Sequence, residues 1–225
     1  MMGVIFNDTE FARPAGSFRM RKVRPVFVYA ALGALGFWLW SRSTQGEEMV
    51  DNIINASADS EDAAQRNIGA FLQVIRFAEG TAGPNGYITM FGGRLFSGFA
   101  DHPRVANRFT DKLGRLLWTS AAGAYQFMAV SPIPTGGFTR VNTWDRVKAE
   151  LGLIDFSPFS QDRAALFLIK EEGALDDVRE GRFAVAVDKV RNVWASLPGA
   201  GYNQPEKSLA SLQARFVASG GEILA

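Results

Sequence analysis

Apolar and polar positions alternate along the chain in blocks of different period, and each block predicts an element. The clearest helical signal before mid-chain is 70–81, where Phe71, Val74, Ile75 and Ala78 recur at the i, i+3, i+4, i+7 spacing of a helix with one buried face. Gly80 follows as the natural residue for the left-handed turn past a helix end. Further on, 143–151 reads as a helix with Thr143 as its N-cap, and 160–172 as an amphipathic helix carrying Ala164, Ala165, Leu168 and Ile169 on one face, with Gly173 as its stop. Residues 182–194 and 208–218 complete the helical set, separated by a tight loop at 197–202. Between the first helix and these lies a glycine-rich, aromatic stretch. There Tyr87 to Phe91 and Arg94 to Phe96 read as short strands, with Gly92-Gly93 as a hairpin turn. Residues 109–119 read as a polar connector ending in Leu116, Leu117 and Trp118. Mostly helix with one small early hairpin is an α+β pattern with segregated parts.

Two segments before this domain have other patterns. Residues 25–40 are uncharged throughout, about 24 Å long if helical, with Trp38 and Trp40 at one end and basic residues crowding the other. The expectation is a transmembrane or signal-anchor helix that contacts the lipid bilayer, with the N-terminus in the cytoplasm and the rest outside. A cleaved signal peptide and a buried soluble helix are the other readings. The segment is short of the usual span of roughly 20 residues, and its Ala and Gly content makes it weakly apolar. The chain thus divides into a basic tail (1–24), this segment (25–40), a polar, acid-leaning linker or stalk (41–67) with a short amphipathic turn at Met49, Val50, Ile53 and Ile54, and a folded domain (68–225).

Composition narrows the chemistry. A net charge of +1 supplies no overall field for nucleic acid. The absence of Cys excludes disulfides and thiolate metal sites, and a single His102 argues against a His-based metal site. Carboxylates, hydroxyls, amides and aromatics remain, and nothing points to a cofactor. Glu79 stands out because the negative end of a helix is an unfavourable place for an anion. The helix dipole alone, worth roughly 0.3–1 kcal/mol, raises its pKa by less than one unit; burial beside Phe77 has to supply more. A carboxyl held partly protonated near neutrality suits a general acid. A solvated Glu at a frayed helix end is the other reading, and this stretch alone does not separate them.

The run of motifs from 70 to 221 resembles the endolysins (lysozymes) of lambda-type phages, lytic transglycosylases of the lysozyme superfamily. The pieces come in order: Ala78-Glu79-Gly80-Thr81, Gly86-Tyr87, Gly92-Gly93, Leu95-Phe96, Asp101-His102-Pro103-Arg104, Gly123, Tyr125-Gln126, Leu151-Gly152-Leu153, Asp155-Phe156-Ser157-Pro158 and Ser160-Gln161-Asp162. Ile169-Lys170, Gly173-Ala174-Leu175 and the run from Trp194 to Tyr202 follow. The apolar segment and stalk lie outside the resemblance.

The resemblance implies a two-lobed, lysozyme-like body with a groove between a small hairpin lobe and a helical lobe, and peptidoglycan glycan strands as substrate. It implies cleavage of the β-1,4 bond between N-acetylmuramic acid and N-acetylglucosamine by attack of the muramic C6 hydroxyl, leaving a 1,6-anhydro end. Glu79 matches the catalytic acid and would return as the base. An intramolecular nucleophile removes the need for the second carboxylate of a hydrolase. This chain has Ile88 and Thr89 where the family carries an acid after Gly-Tyr. Asp101 is expected as a turn or capping residue and His102 as a hydrogen-bonded turn residue. Gln126 and Tyr202 are expected to hold an acetamido group or stabilise charge on the sugar, with Tyr125, Ser196 and Asn203 beside them and Tyr87 and Phe91 as sugar-stacking aromatics. The implied setting is phage lysis of the host from the outer face of the inner membrane. A virion component acting at genome delivery and a non-catalytic glycan-binding module are the rivals.

Overall fold

Helix α1, Thr44–Ala78, is the longest element of the computed structural model, which describes residues 44–111, 113–201 and 205–224. Two compact units divide the chain, Met1–Ile54 and Asn55–Ala225; the described part of the first, 44–54, is helical. The stretch expected as a linker is therefore helix from Thr44 onward. Between Gly46 and Gly69 the sequence holds neither Gly nor Pro, so nothing local stops propagation. The transmembrane segment expected at 25–40 lies outside the described residues. Among the described residues no helix is long and apolar enough to cross a membrane.

In the second unit α1 buries a stripe of Ala64, Asn67, Ala70, Phe71, Val74, Ile75 and Ala78. Asn67 is the polar member, and both ends of its amide are used: Nδ2 donates to the Arg179 carbonyl (3.0 Å) and Oδ1 accepts from the Glu222 amide (2.7 Å). This ties α1 to the C-terminal segment. The remaining helices are α2 (Thr143–Leu151), α3 (Pro158–Glu171), α4 (Leu175–Arg179), α5 (Phe183–Val190) and α6 (Leu209–Ala218). Phe71 of α1 meets Phe183 of α5 edge to face at 6.1 Å, and Phe183 meets Phe216 of α6 at 4.9 Å. A second chain of rings runs Tyr125, Phe127, Trp144, Phe156 and Phe96, with centroids 4.6 to 5.9 Å apart.

Several boundaries differ from the sequence expectation for local reasons. Helix α3 starts at Pro158, because Ser157 caps it by accepting from the Ser160 amide and Pro at the first position costs no hydrogen bond. Asn142, not Thr143, occupies the N-cap of α2, without a side-chain cap bond. The helix expected over 182–194 ends at Val190, and the short α4 precedes it.

The β-structure is displaced too. The antiparallel pair is β1 (Asn107–Thr110) with β2 (Leu116–Thr119), inside the region expected to be a connector. β1 alternates half-buried and exposed positions but reads Asn-Arg-Phe-Thr, and β2 exposes both Leu116 and Leu117, so no apolar alternation announces either. Their turn is set instead by Asp111, whose carboxylate accepts from the Leu113 and Arg115 amides (3.0 and 2.9 Å). The hairpin expected around Gly92-Gly93 has its turn, with φ of 80° and 82° at the two glycines. Its arms make only the single bridge Thr89 to Leu95, flanked by 3-10 turns at Gly86–Ile88 and Phe91–Gly93. An α+β, mostly helical body results, with a small two-stranded sheet.

What holds the irregular stretch is one buried side chain of α3. Gln161 is fully buried; its Oε1 accepts from the Ala124 amide (2.8 Å) while Nε2 donates to the carbonyls of Tyr87 (3.1 Å) and Phe156 (2.7 Å). Gly123 lies against it at φ +80°, and a Cβ there would sit 2.2 Å from Gln161 Oε1 and 2.9 Å from Phe156 Cζ. Gly123→Ala combines a left-handed non-Gly backbone with an overpacked core and should cost about 3 kcal/mol or more. Chemical denaturation should show a much lower midpoint or no folded baseline; a midpoint equal to the parent's would overturn this account of the clamp.

Candidate active site

Glu79 immediately follows α1, and its amide still donates to the Ile75 carbonyl at 2.9 Å. Gly80 at φ +74° turns the chain, and the Thr81 amide donates back to the Arg76 carbonyl (2.8 Å), closing the helix end. Thr81 is buried, with Oγ1 on the Arg76 carbonyl. The same hydroxyl reaches the carbonyl of Ala124 (2.5 Å) and so joins the helix end to the turn that carries Gln126. Beneath it the buried Arg76 guanidinium donates to the carbonyls of Thr81 and Gly83 and lies 4.6 Å from the centre of the Tyr87 ring.

The Glu79 carboxyl opens into a cleft of about 740 Å³. Thr89 to Gly93, Phe109 and Thr119 line it from the small lobe, Tyr125 to Met128 from the Gly123 turn, and Asn192 to Ser196 with Pro205 from the segment after α5. Burial pushes the Glu79 pKa up to about 7, against the lowering effect of a hydrogen bond from Ser196 Oγ to Oε1 at 2.6 Å. Desolvation rather than the helix dipole is thus the principal cause.

The other expected site residues fall into three groups. Gln126 lines the cleft beside Glu79 with φ +49°, a left-handed conformation uncommon for a non-glycine residue. Its Nε2 donates to the carbonyls of Thr89 (3.1 Å) and Gly123 (3.0 Å). Two carbonyl acceptors fix which end of the amide is nitrogen, so Oε1 is the end left for a ligand. Gln126 therefore offers an acceptor, suited to an acetamido N–H or to positive charge developing on a sugar ring. Ser196 lines the cleft and spends its hydroxyl on the Glu79 carboxyl.

Tyr125 and Tyr87 behave differently from a pair of sugar-binding phenols. Both hydroxyls donate to Asp162 of α3, Tyr125 at 2.6 Å and Tyr87 at 2.9 Å. Burial, with the Asp162 charge, pushes both phenol pKa values up. Tyr125 reaches the cleft, and its backbone carbonyl accepts from Trp194 Nε1 (3.2 Å); Tyr87 is not among the cleft-lining residues. Phe91 does line the cleft, paired with Phe109 at 5.5 Å, a partner that the sequence did not single out. Tyr202 and Asn203 lie outside the described residues.

Asp101 and His102 are structural. Asp101 accepts from Lys148 (2.8 Å), Arg104 (3.1 Å) and Trp144 (3.3 Å), binding its loop to α2. Burial would raise its pKa, but these donors together hold it well below the usual carboxylate range. This is an ion-pair hub rather than the turn or cap expected. Buried His102 uses both ring nitrogens: Nδ1 accepts from the Arg104 amide and Nε2 donates to the Phe127 carbonyl, each at 3.0 Å. Burial lowers its pKa to about 4, so the ring is neutral. Among the described residues no cluster of His, Asp or Glu is arranged to hold a metal ion.

Sequence reasoning missed a charged patch on the cleft wall. Arg146 of α2 makes two hydrogen bonds of 2.7 Å to Glu171 at the end of α3, with Glu172 beside it. Only the tandem Glu171-Glu172 before Gly173 hints at it in the sequence.

Comparison with known proteins agrees with this architecture. The family model described as Endolysin matches residues 69–223. The endolysin of Escherichia phage lambda is 39% identical over 160 residues, covering 68% of this chain and 91% of that protein. The endolysin of Escherichia phage P2 is 39% identical over 173 residues, covering 69% of this chain and 94% of its own length. Among solved structures, bacteriophage lambda lysozyme complexed with a chitohexasaccharide aligns at a TM-score of 0.61 with 38% identity, over 71% of this chain and 97% of that one. A second structure of lysozyme from bacteriophage lambda gives a TM-score of 0.57 at the same identity and coverage. The chain belongs to the endolysin family.

Proposed function

We propose that the protein is a peptidoglycan lytic transglycosylase of phage lysis, cleaving the β-1,4 bond between N-acetylmuramic acid and N-acetylglucosamine. The observation that carries this reading is the Glu79 carboxyl, lifted to about 7 by burial and set in the cleft with one hydrogen bond. Such a group is protonated often enough to donate and is a strong enough base to take a proton back. The lambda lysozyme complexed with a chitohexasaccharide supports a glycan as the occupant of the cleft.

In the proposed reaction Ser196 holds Oε1 and the acidic proton sits on Oε2. Glu79 gives that proton to the glycosidic oxygen as the C1–O4 bond breaks. The resulting carboxylate then accepts the proton of the muramic C6 hydroxyl while O6 bonds to C1. The products are a free 4-hydroxyl and a 1,6-anhydro ring, and no water is consumed. Gln126 Oε1 faces the developing positive charge on the ring. Asp101 and Asp111, the acids that the sequence places nearest the groove stretch, are held by Lys148 and Arg104 and by Arg115. The membrane attachment read from 25–40 would keep this domain at the outer face of the inner membrane.

Glu79→Gln should reduce lysis of wall preparations by about a thousandfold or more. Mass spectrometry of the parent's products should find anhydro ends; ends carrying an added water would replace transglycosylation by hydrolysis.

The proton on Glu79 sets the pH profile. Activity should fall as pH rises through about 7. Ser196→Ala removes the contact that lowers the pKa, so it should move this alkaline limb to higher pH.

Stability carries the opposite mark of the same group. A carboxyl whose folded pKa exceeds its unfolded one loses its proton first in the unfolded chain, so it destabilises the fold as pH rises from about 4.5 to about 7. Glu79→Gln, which has no proton to lose, should therefore be more stable than the parent at pH 8, by about 3 kcal/mol. At pH 4 the two should match. Urea unfolding at both pH values measures the difference, and equal gains at both would contradict the assigned pKa.

A further inference from the structure

Apart from Glu79, the charged side chains lining the cleft among the described residues are Arg146, Glu171 and Glu172; the rest of the lining is uncharged. The Arg146–Glu171 pair bridges α2 and α3 through a two-pronged contact, and its side chains are 45% and 40% exposed. An ion pair this exposed contributes little to stability. Two of the five guanidinium N–H groups are spent on Glu171, so Arg146 keeps donors for another carboxylate. Glu172 is exposed at the next position, and the patch of one cation and two anions carries a net charge of −1 at neutral pH.

A glycan backbone of N-acetylated sugars is neutral and has no use for such a patch. The wall polymer is charged where short peptides branch from the lactyl groups of its muramic residues, because these carry free carboxylates and the free amine of a diamino acid. We infer that the Arg146–Glu171–Glu172 patch is a subsite for the peptide stem of the substrate, Arg146 receiving a stem carboxylate and the two glutamates a stem ammonium. This deepens the proposed function and rests on it for the identity of the polymer. It makes the enzyme selective for peptide-bearing over bare glycan.

The test separates binding from catalysis. Soluble glycan oligomers bearing peptide stems, and the same oligomers stripped of stems by an amidase, are titrated into the Glu79→Gln protein by calorimetry, so that no turnover occurs. Stems should tighten binding by about fivefold, the worth of one exposed ion pair. Arg146→Ala added to that background should reduce the increment, and Arg146→Ala with Glu171→Gln and Glu172→Gln should erase it, while affinity for the stripped oligomers stays unchanged. The swap Arg146→Glu with Glu171→Arg, which keeps an ion pair between the helices, should fail to restore it if position of charge matters. Equal affinities for the two oligomers in Glu79→Gln, an increment undiminished by Arg146→Ala or surviving the triple variant, or full restoration by the swap would overturn the subsite. Loss of affinity for both oligomers in Arg146→Ala would reassign the residue to structure. Failure of the parent to cleave either oligomer would instead remove the proposed reaction, a result that the binding cycle does not depend on.

Discussion

Three backbone groups from three separate segments converge on the side chain of Gln161, which ties the small lobe to α3. The lobe's two-stranded sheet is short and half exposed, and the arms of the segment around Tyr87 to Phe96 share one bridge, Thr89 to Leu95, where a hairpin would have a ladder. A buried amide donor or acceptor left without its partner costs about 1–3 kcal/mol. Satisfying Ala124, Tyr87 and Phe156 at once therefore fixes segments that regular hydrogen bonding leaves free. Asp162, next in the chain, extends the same device by receiving the Tyr87 and Tyr125 hydroxyls. The first turns of α3 thus set the Gly123 to Gln126 turn, and that turn sets one side of the cleft.

How much of this the sequence discloses depends on the range of the interaction. Phe71, Val74, Ile75 and Ala78 share one helical face, and a periodicity argument finds them because burial there is local and regular. Ser208 and Ser157 cap helices by contacts within three residues and sit close to where the pattern places the helix starts. Strands β1 and β2 escape notice because neither buries a full face. The turn between them is dictated by a carboxylate, Asp111, rather than by glycine pairs. The clamp of Gln161 on residues 37 and 74 positions away is invisible to any local pattern.

The site divides along the same line. Glu79 is legible as an anion at the wrong end of a helix, and the motif series assigns it a role. Its pKa is not legible, since the raising influence is burial by residues distant in sequence and the lowering one is Ser196, 117 positions away. Tyr87 and Tyr125 look like sugar ligands in one dimension and turn out to brace the lobe through Asp162. Gln126 lines the cleft, and its amide nitrogen is spent on backbone carbonyls, which leaves its oxygen as the end it offers.

The clustering of charge has a geometric consequence for a repeating ligand. A polymer of identical neutral repeats can slide by one repeat and find the same environment, so a uniformly uncharged trough would hold it in many equivalent registers. Arg146 touches Glu171 directly and Glu172 is the next residue, so among the described residues the charges of the trough other than Glu79 form one fixed mark. A strand whose side groups bear charge has its frame and its direction chosen by that mark. On the proposed reading, the bond presented to Glu79 would be set by register along the strand and not by chance diffusion.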